Sequence, residues 1–407
     1  MESYRREYEF SLSSILSFVW RGVIVGCVSG SMVSLFRLLI AKIFAQVVKC
    51  YQLSHENPAL LGLILLVSVI VVIAIGFLVK SDPDIKGSGI PHVEGELKGL
   101  LHPDWWSVLW KKFIGGVLAI SMGFMLGREG PSIQLGAMAG KGVAKSLKAQ
   151  RMEQRVLIAS GAAAGLSAAF NAPIAGLLFV VEEIYHHFSR LVWISALVAS
   201  LVANFISLNI FGLTPVLAMP SDLVILPLHH YWMLLPLGAF LGIMGYLYEK
   251  VTLNANLFYD FLGKICHVPN YFYGIFVAIL ILPIGYFYPQ LLGGGNGLIT
   301  SLSTSHLTFA VVCLYFLIRF VWSTFSYASG LPGGIFLPIL TLGSLLGFGF
   351  GLGMHQIGFI STSVLVNFLV LGMAGYFGNR NGRRFPTTDD YCSRYFGSLH
   401  CNGSSKR

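Results

Sequence analysis

The stretch 127–131 reads GREGP, and the stretch 334–338 reads GIFLP. The second stretch begins 207 positions after the first, and both continue with Leu, Gly and Gly at offsets 8, 9 and 13 from their first glycine. Chance matching is the alternative explanation in a chain with 46 glycines. In a membrane protein, such a repeat predicts two halves with equivalent broken helices that meet around a binding site near the membrane midplane.

The composition places the chain in a membrane. Its 407 residues are 55% hydrophobic and 11% charged, with a mean hydropathy of +0.73, whereas soluble domains carry about 25% charged residues. A cytosolic enzyme, a disordered scaffold and a secreted disulfide module are therefore excluded. The net charge of +9 does not predict a nucleic-acid partner, because the basic residues lie in short breaks between apolar runs. The six cysteines are scattered, which favours buried thiols over disulfides.

The apolar runs are often too long or too short for one upright crossing of about 20 residues, and Gly and Pro interrupt them. We therefore expect an all-α polytopic membrane protein with broken and half-length helices in two repeats, of which the second is incomplete. The predicted segments are a cytoplasmic N-terminal segment (1–14), a first membrane repeat (15–212), an external loop (213–230), a second, incomplete repeat (231–377) and an aberrant polar tail (378–407).

The distribution of Lys and Arg predicts the orientation in the cell membrane. No basic residue other than His occurs between Arg190 and Lys250, so the loop between them should lie outside the cell. Lys111 and Lys112 belong to a basic cluster that should mark a cytoplasmic break. The polar N-terminus lacks the pattern of a cleaved signal peptide and should be cytoplasmic.

Glu129 follows fourteen uncharged residues (113–126) and should therefore lie at membrane depth. An ionised carboxylate there costs roughly 2.5–3.5 kcal/mol, so something must compensate it or use it. Pro131 suits the first turn of a helix, and a helix that begins here would direct free N–H groups at a nearby anion. The alternative is a purely structural pair of Arg128 and Glu129.

Two further motifs combine Gly with a Pro that can open a helix. The segment 333–338 has no acid and offers backbone amides among apolar side chains, which suits a weakly held monovalent anion. The segment 87–91 reads GSGIP and adds the hydroxyl of Ser88. Each motif alone could be an ordinary kink or turn, but three in one membrane chain favour a shared site.

A pair of acids, Glu182 and Glu183, ends the apolar run 174–181. One interpretation is an interfacial, solvated pair with a structural role. The other is a proton entry point on the cytoplasmic side that leads towards Glu129.

GSGIP, GREGP and GGIFLP, in this order, resemble the three signatures of the CLC family of chloride channels and proton-coupled chloride transporters, and AAFNAPIAGLLFVVEE (168–183) resembles the same pattern. The resemblance runs from about Phe18 to Phe377. It implies the CLC-type inverted-repeat fold, usually a homodimer with one anion pathway in each subunit.

The resemblance also implies residue roles. Ser88 would donate its hydroxyl to a central chloride, Glu129 would be the gate, and Glu183 would be the inner proton-transfer acid. Ser at position 88 and an intact GREGP resemble chloride-preferring members. The implied anion-binding residues are Ser88, Gly89, Ile90, Arg128, Glu129, Gly130, Ile335 and Phe336, and the motif residues around them are Gly87, Pro91, Gly127, Pro131, Gly334 and Pro338.

The C-terminal sequence departs from the family pattern. The segment beginning at Gly161 should have its second-half counterpart at Gly372, but from Asn379 the chain becomes polar and aperiodic. We interpret this as a truncated or frame-shifted end, because tails seldom begin inside a helix; a genuine cytoplasmic tail is the alternative. The family pattern continues with helices that supply an inner-gate tyrosine and part of the dimer interface, so Tyr391 and Tyr395 receive no role, and the implied homodimer is in doubt for this chain.

The leading interpretation is a chloride/proton antiporter, with a passive, voltage-gated type of chloride channel as the alternative. Chloride, protons and the lipid bilayer are the expected partners, with no cofactor and no metal. A membrane-embedded enzyme would need a nucleophile or metal site, yet the sequence has no HExxH or GxSxG, and its adjacent His pairs are poorly spaced for one metal. A structural scaffold would have no need for a buried Glu129.

Overall fold

The structure is a computed structural model that describes residues 12–185, 189–213, 215–217, 219, 224, 226–304 and 307–381. These residues are helical apart from turns and one isolated β-bridge. Seven helices in this part of the chain are long and apolar enough to cross a membrane.

The first half contains long helices that alternate with short ones. Two of the short helices, Ile90–Leu97 and Pro173–Phe179, have only 8 and 7 residues. A π-helical turn, Val180–Tyr185, directly follows the second of these. The helices of this half are α1 (Leu12–Leu53), α2 (Ala59–Ser81), α3 (Ile90–Leu97), α4 (Trp105–Ser121), α5 (Glu129–Ser146), α6 (Arg151–Phe170), α7 (Pro173–Phe179) and α8 (Arg190–Phe211).

The second half also combines long and short helices, with three short ones in succession after its longest. Its helices are α9 (Leu234–Cys266), α10 (Gly274–Leu280), α11 (Leu282–Phe287), α12 (Asn296–Leu302), α13 (Phe309–Ala328), α14 (Phe336–Gln356) and α15 (Leu365–Asn381). The prediction of broken and half-length helices is therefore confirmed. The polar tail predicted for 378–407 lies outside the described residues except for its first four, which end α15.

Short helices begin at the same place in each half because glycines permit a left-handed backbone there. Gly89 precedes α3 with φ of 84°, and Gly295 precedes α12 with φ of 105°. A residue with a Cβ is strained in this conformation. The two loops thus turn sharply into helices that are too short to cross a membrane.

In each half, one pair of helices packs so closely that glycines of the two helices meet backbone to backbone. A Cβ placed on Gly136 in α5 would fall on the carbonyl of Gly161 in α6, and the reverse also holds. In the second half, Gly343 in α14 and Gly372 in α15 meet in the same way. Small residues allow membrane helices to approach this closely. Gly161 and Gly372 thus occupy equivalent positions in the two halves, as the repeat in the sequence predicts.

Candidate anion site

The two halves are joined where their repeated motifs meet. The N–H of Gly127 donates to the carbonyl of Gly334 at 2.7 Å, and the N–H of Gly334 donates back to the carbonyl of Gly127 at 2.6 Å. The third motif joins them, because the N–H of Gly333 donates to the carbonyl of Gly87 at 3.1 Å. The structure therefore brings GSGIP, GREGP and GGIFLP to one place.

Glu129 is the first residue of α5 and is fully buried at this junction, with 0% of its surface exposed. Its carboxylate bends back over Gly127, since a Cβ built there would collide with Oε2 of Glu129. The same position lies against Leu337 and Pro338, in the first turn of α14. The carboxylate thus occupies the space between the starts of the two repeated helices.

The surroundings of Glu129 compensate its charge only in part. Nε of Arg128 lies 4.0 Å from Oε1, too far for a hydrogen bond. Backbone N–H groups of Arg128, Glu129 and Leu337 act on the carboxylate, but neither of its oxygens has a hydrogen bond of good geometry among the described residues. The contact between Arg128 and Glu129 is therefore weaker than a hydrogen-bonded ion pair.

Ser88 lies beside the start of α5. A Cβ on Gly130 would come within 2.8 Å of both the carbonyl oxygen and the Cβ of Ser88, so only glycine fits there. Ser88 is 5% exposed, and within the described ranges its hydroxyl makes no hydrogen bond to the protein. The hydroxyl is therefore available to a ligand at the junction.

Lys112 holds the loop that carries Ser88. It lies in α4, is 0% exposed, and donates from Nζ to the carbonyls of Ile85 at 2.8 Å and Gly87 at 2.6 Å. The ammonium of Lys112 is therefore buried among backbone carbonyls, and the cytoplasmic placement of this break stays a prediction. Lys111 beside it is the residue that reaches an acid, Asp82, at 3.5 Å.

Arg319 in α13 holds the corresponding loop of the second half, around residues 291–294. It is 0% exposed and donates to the carbonyls of Leu291, Gly293 and Gly294 at 2.6–2.8 Å. Sequence reasoning missed both cations. The signal was present, because Arg319 lies 207 positions after Lys112, which is the offset of the repeated Gly-Pro motifs.

Two cavities approach the start of α14 from different sides. The Arg128 cavity, of about 440 Å³, is lined by Arg128, Leu337 and the loop 293–297, among others. The Glu183 cavity, of about 560 Å³, is lined by Glu182, Glu183 and Phe336, among others. Because the neighbours Phe336 and Leu337 line different cavities, the first turn of α14 separates them, and Glu129 is buried at that boundary.

Phe336 forms the wall of the Glu183 cavity together with other aromatic rings. Its ring centroid lies 4.6 Å from that of Phe377, 5.4 Å from that of Phe170 and 5.9 Å from that of Phe179. Glu182 and Glu183 line the same cavity. Glu183, on the π-helical turn, thus shares a cavity with a residue of the GGIFLP motif.

The remaining predicted residues frame the junction. Ile90 and Ile335 are buried, and Gly89 packs against the side chain of Gln134, whose amide donates to the carbonyl of Asp84 at 2.8 Å. Across the described part of the chain, no three His, Cys, Asp or Glu side chains are grouped to hold a metal ion. His186 and His187 lie outside the described residues.

An all-helical membrane fold, with two related halves and an acid buried between two cavities, defines an ion-translocating protein of the inverted-repeat class. The family model described as "Voltage gated chloride channel" matches residues 69–380. The chain therefore belongs to the CLC family of chloride channels and transporters, a family of anion-transport proteins rather than enzymes, and it is a multi-pass membrane protein. The family resemblance of the sequence is confirmed.

Relatives and solved structures agree with this assignment. The H(+)/Cl(−) exchange transporter ClcA of Vibrio parahaemolyticus is 35% identical over 357 residues, which cover 83% of this chain and 73% of the relative. A slow cyanobacterial Cl−/H+ antiporter superposes with a TM-score of 0.81 at 28% identity, covering 94% of this chain and 91% of the other. A CLC-type fluoride/proton antiporter shares the fold, with a TM-score of 0.72 at 20% identity over 97% of this chain and 95% of the other.

Proposed function

We propose that this chain exchanges chloride for protons and that Glu129 is both the gate and the proton carrier. The observation that carries this proposal is the fully buried Glu129 carboxylate at the boundary between two cavities, without a hydrogen bond of good geometry in the described structure. Ionised, it occupies a place suited to an anion and closes the path. Protonated, it loses its attraction to the helix starts and can leave, so that an anion takes its place.

Chloride would bind between the hydroxyl of Ser88 and the backbone N–H groups of Ile335 and Phe336. α14 begins at Phe336 and has 21 residues, so its first N–H groups lack partners within the helix and carry a partial positive charge. Lys112 is directed away from the ligand, at backbone carbonyls. Dipoles without a contacting ammonium hold an anion weakly enough to release it.

Protons would reach Glu129 from the Glu183 cavity. Glu183 lines this cavity together with Phe336, whose N–H is part of the proposed chloride site. Two of the similar proteins are named as exchangers of chloride and protons, and their similarity favours exchange over passive conduction. We also propose that the Glu183 cavity faces the cytoplasm, since the basic residues of the sequence predict that orientation.

A passive chloride channel is the alternative from the sequence, and the two differ in what a proton gradient does. In an antiporter, the reversal potential of the chloride current shifts when the pH on one side changes. In a channel, the reversal potential follows chloride alone.

Assembly as a homodimer stays a proposal, and sedimentation of the protein in detergent would test it.

Flux measurements on Glu129→Gln test the proposed gate. The neutral side chain resembles the protonated state, so chloride efflux from liposomes should continue while coupled proton movement disappears. Glu182→Gln is the control for the loss of one acidic side chain. Glu182 lines the Glu183 cavity, and its replacement should leave the coupling unchanged. Proton transport that persists in Glu129→Gln would refute the role of Glu129.

A further inference from the structure

Arg37 is a buried cation of α1 that the proposed mechanism does not use. It is 8% exposed and lies within the candidate membrane span Ile15–Leu53. Its NH1 donates to the carbonyl of Ala168 at 3.2 Å, to Oδ1 of Asn171 at 2.9 Å and to Oγ of Ser207 at 3.3 Å. Its guanidinium also stacks on the ring of Phe211, 3.9 Å from the centroid. All of these partners are uncharged.

No carboxylate in the described ranges lies within ion-pair distance of the Arg37 guanidinium. Among the described residues, the charged side chains whose electrostatic field reaches Arg37 are Arg128 and Glu129, and Nε of Arg128 lies 4.0 Å from Oε1 of Glu129. In this set of described residues two cations face one carboxylate, so its net charge is about +1 when Glu129 is ionised. Charges at membrane depth are costly, so they are normally paired or used.

Arg37 also lies directly behind the wall of the transport path. Asn171, which accepts its hydrogen bond, lines the Glu183 cavity together with Phe336. Asn171 ends α6 in a left-handed conformation with φ of 57°, so its side chain and backbone are held at this corner. The amide side chain of Asn171 therefore connects the Arg37 guanidinium to the lining of the Glu183 cavity.

We propose that Arg37 sets the anion affinity of the site, because its positive charge, which has no acid partner among the described residues, makes the transported anion the counter-ion of the Arg37–Arg128–Glu129 set. When Glu129 is protonated or leaves, this set carries two positive charges and no negative one, and chloride entering the site restores the balance. The inference rests on the proposed function, because it assumes that chloride binds where Glu129 lies. The competing explanation is a structural one, in which Arg37 only caps the carboxyl end of α6.

Three variants separate charge from hydrogen bonding. Arg37→Gln removes the charge, and Arg37→Lys keeps it while changing the hydrogen-bond geometry. Asn171→Asp keeps Arg37 and gives it a carboxylate partner, because Oδ1 of Asn171 already accepts from both Arg37 and Ser207. Ser207→Ala is the matched control, since it removes hydrogen bonds of the same cluster without changing its charge.

The measurement is the chloride dissociation constant of the purified full chain in detergent, by calorimetry. A unit charge at a separation on the order of 10 Å and an effective dielectric constant near 20 changes anion affinity about tenfold. We expect Arg37→Gln and Asn171→Asp to weaken chloride binding about tenfold, with Arg37→Lys and Ser207→Ala within about twofold of the wild type.

Each outcome has a defined meaning. Wild-type affinity in Arg37→Gln would overturn the inference even if Asn171→Asp binds chloride weakly, because an aspartate at 171 adds a negative charge to the lining of the Glu183 cavity and repels an anion by itself. A loss in Arg37→Lys as large as in Arg37→Gln would also overturn it, since that result would show a geometric role. Should Arg37→Gln fail to fold, Arg37→Met takes its place. Absence of chloride binding in the wild-type chain would refute the proposed function itself, whereas wild-type binding with unchanged variants would refute the Arg37 inference alone.

Discussion

Replacing Lys112 with Met should loosen the Ser88 loop and weaken chloride binding. Met keeps the length and apolar contacts of the side chain but removes two charge-assisted hydrogen bonds, to the carbonyls of Ile85 and Gly87. The Gly87 carbonyl keeps a donor, the N–H of Gly333. The Ile85 carbonyl is left without a described partner, which costs about 1–3 kcal/mol.

The net effect is the difference between two opposing contributions. Hydrogen bonds to a charged group contribute about 1.5–3 kcal/mol each, whereas removing a fully buried ammonium recovers several kcal/mol of desolvation. We expect Lys112→Met to lower stability by about 2 kcal/mol. If Ser88 moves enough to lose its hydrogen bond to chloride, the loss of about 1 kcal/mol corresponds to roughly fivefold weaker binding.

The repeat supplies the matched control, Arg319→Met. Arg319 is equally buried and holds the equivalent loop of the second half, which does not carry Ser88. Both variants should show a lower melting temperature in detergent, but only Lys112→Met should raise the chloride dissociation constant. Equal loss of chloride affinity in both variants, or normal affinity in Lys112→Met, would contradict the assignment of Lys112 as the residue that positions Ser88.

Two further predictions concern packing and the ligand. Gly136→Ala should lower the melting temperature strongly, because its Cβ would meet the Gly161 carbonyl at an overpacking cost of about 1–3 kcal/mol or more. Gly62→Ala is the control, since a Cβ there meets nothing within 4 Å, and it should leave the melting temperature unchanged or raise it. The opposite ranking would refute the close approach of α5 and α6. Ser88→Ala should raise the chloride dissociation constant by roughly fivefold, the loss of one hydrogen bond, with little change in melting temperature because the hydroxyl has no described protein partner; unchanged chloride binding would remove Ser88 from the site.

Much of the architecture could be predicted from the sequence because backbone demands leave local signals. Glycines and prolines at matching offsets predict the helix starts, and the structure joins two of these starts through reciprocal hydrogen bonds between Gly127 and Gly334. Gly161 and Gly372 are equivalent because close helix contacts require glycine in both halves. These features depend on backbone geometry, which a spacing pattern reveals.

The positions of the buried cations could not be predicted in the same way. Lys112 follows Lys111, and the pair looks like an ordinary topological charge cluster. On a helix, consecutive residues point in directions about 100° apart, so one ammonium reaches the buried carbonyls while its neighbour reaches Asp82. Arg37 and Arg319 lie inside apolar runs, where a hydropathy average conceals a single charge whose partners lie elsewhere in the chain.

The most direct test of the proposed exchange is proton uptake driven by a chloride gradient in liposomes that contain the full chain. Vesicles are loaded with high chloride and diluted into low chloride in a weak buffer, with equal potassium on both sides. A potassium ionophore carries the compensating charge, and the external pH is recorded without any other proton carrier. The account predicts proton uptake into the vesicles although the pH is initially equal on both sides. Glu183→Gln should abolish this uptake, and Glu182→Gln should preserve it. Chloride efflux without any proton uptake in the wild-type chain would contradict the antiport mechanism and favour a passive channel.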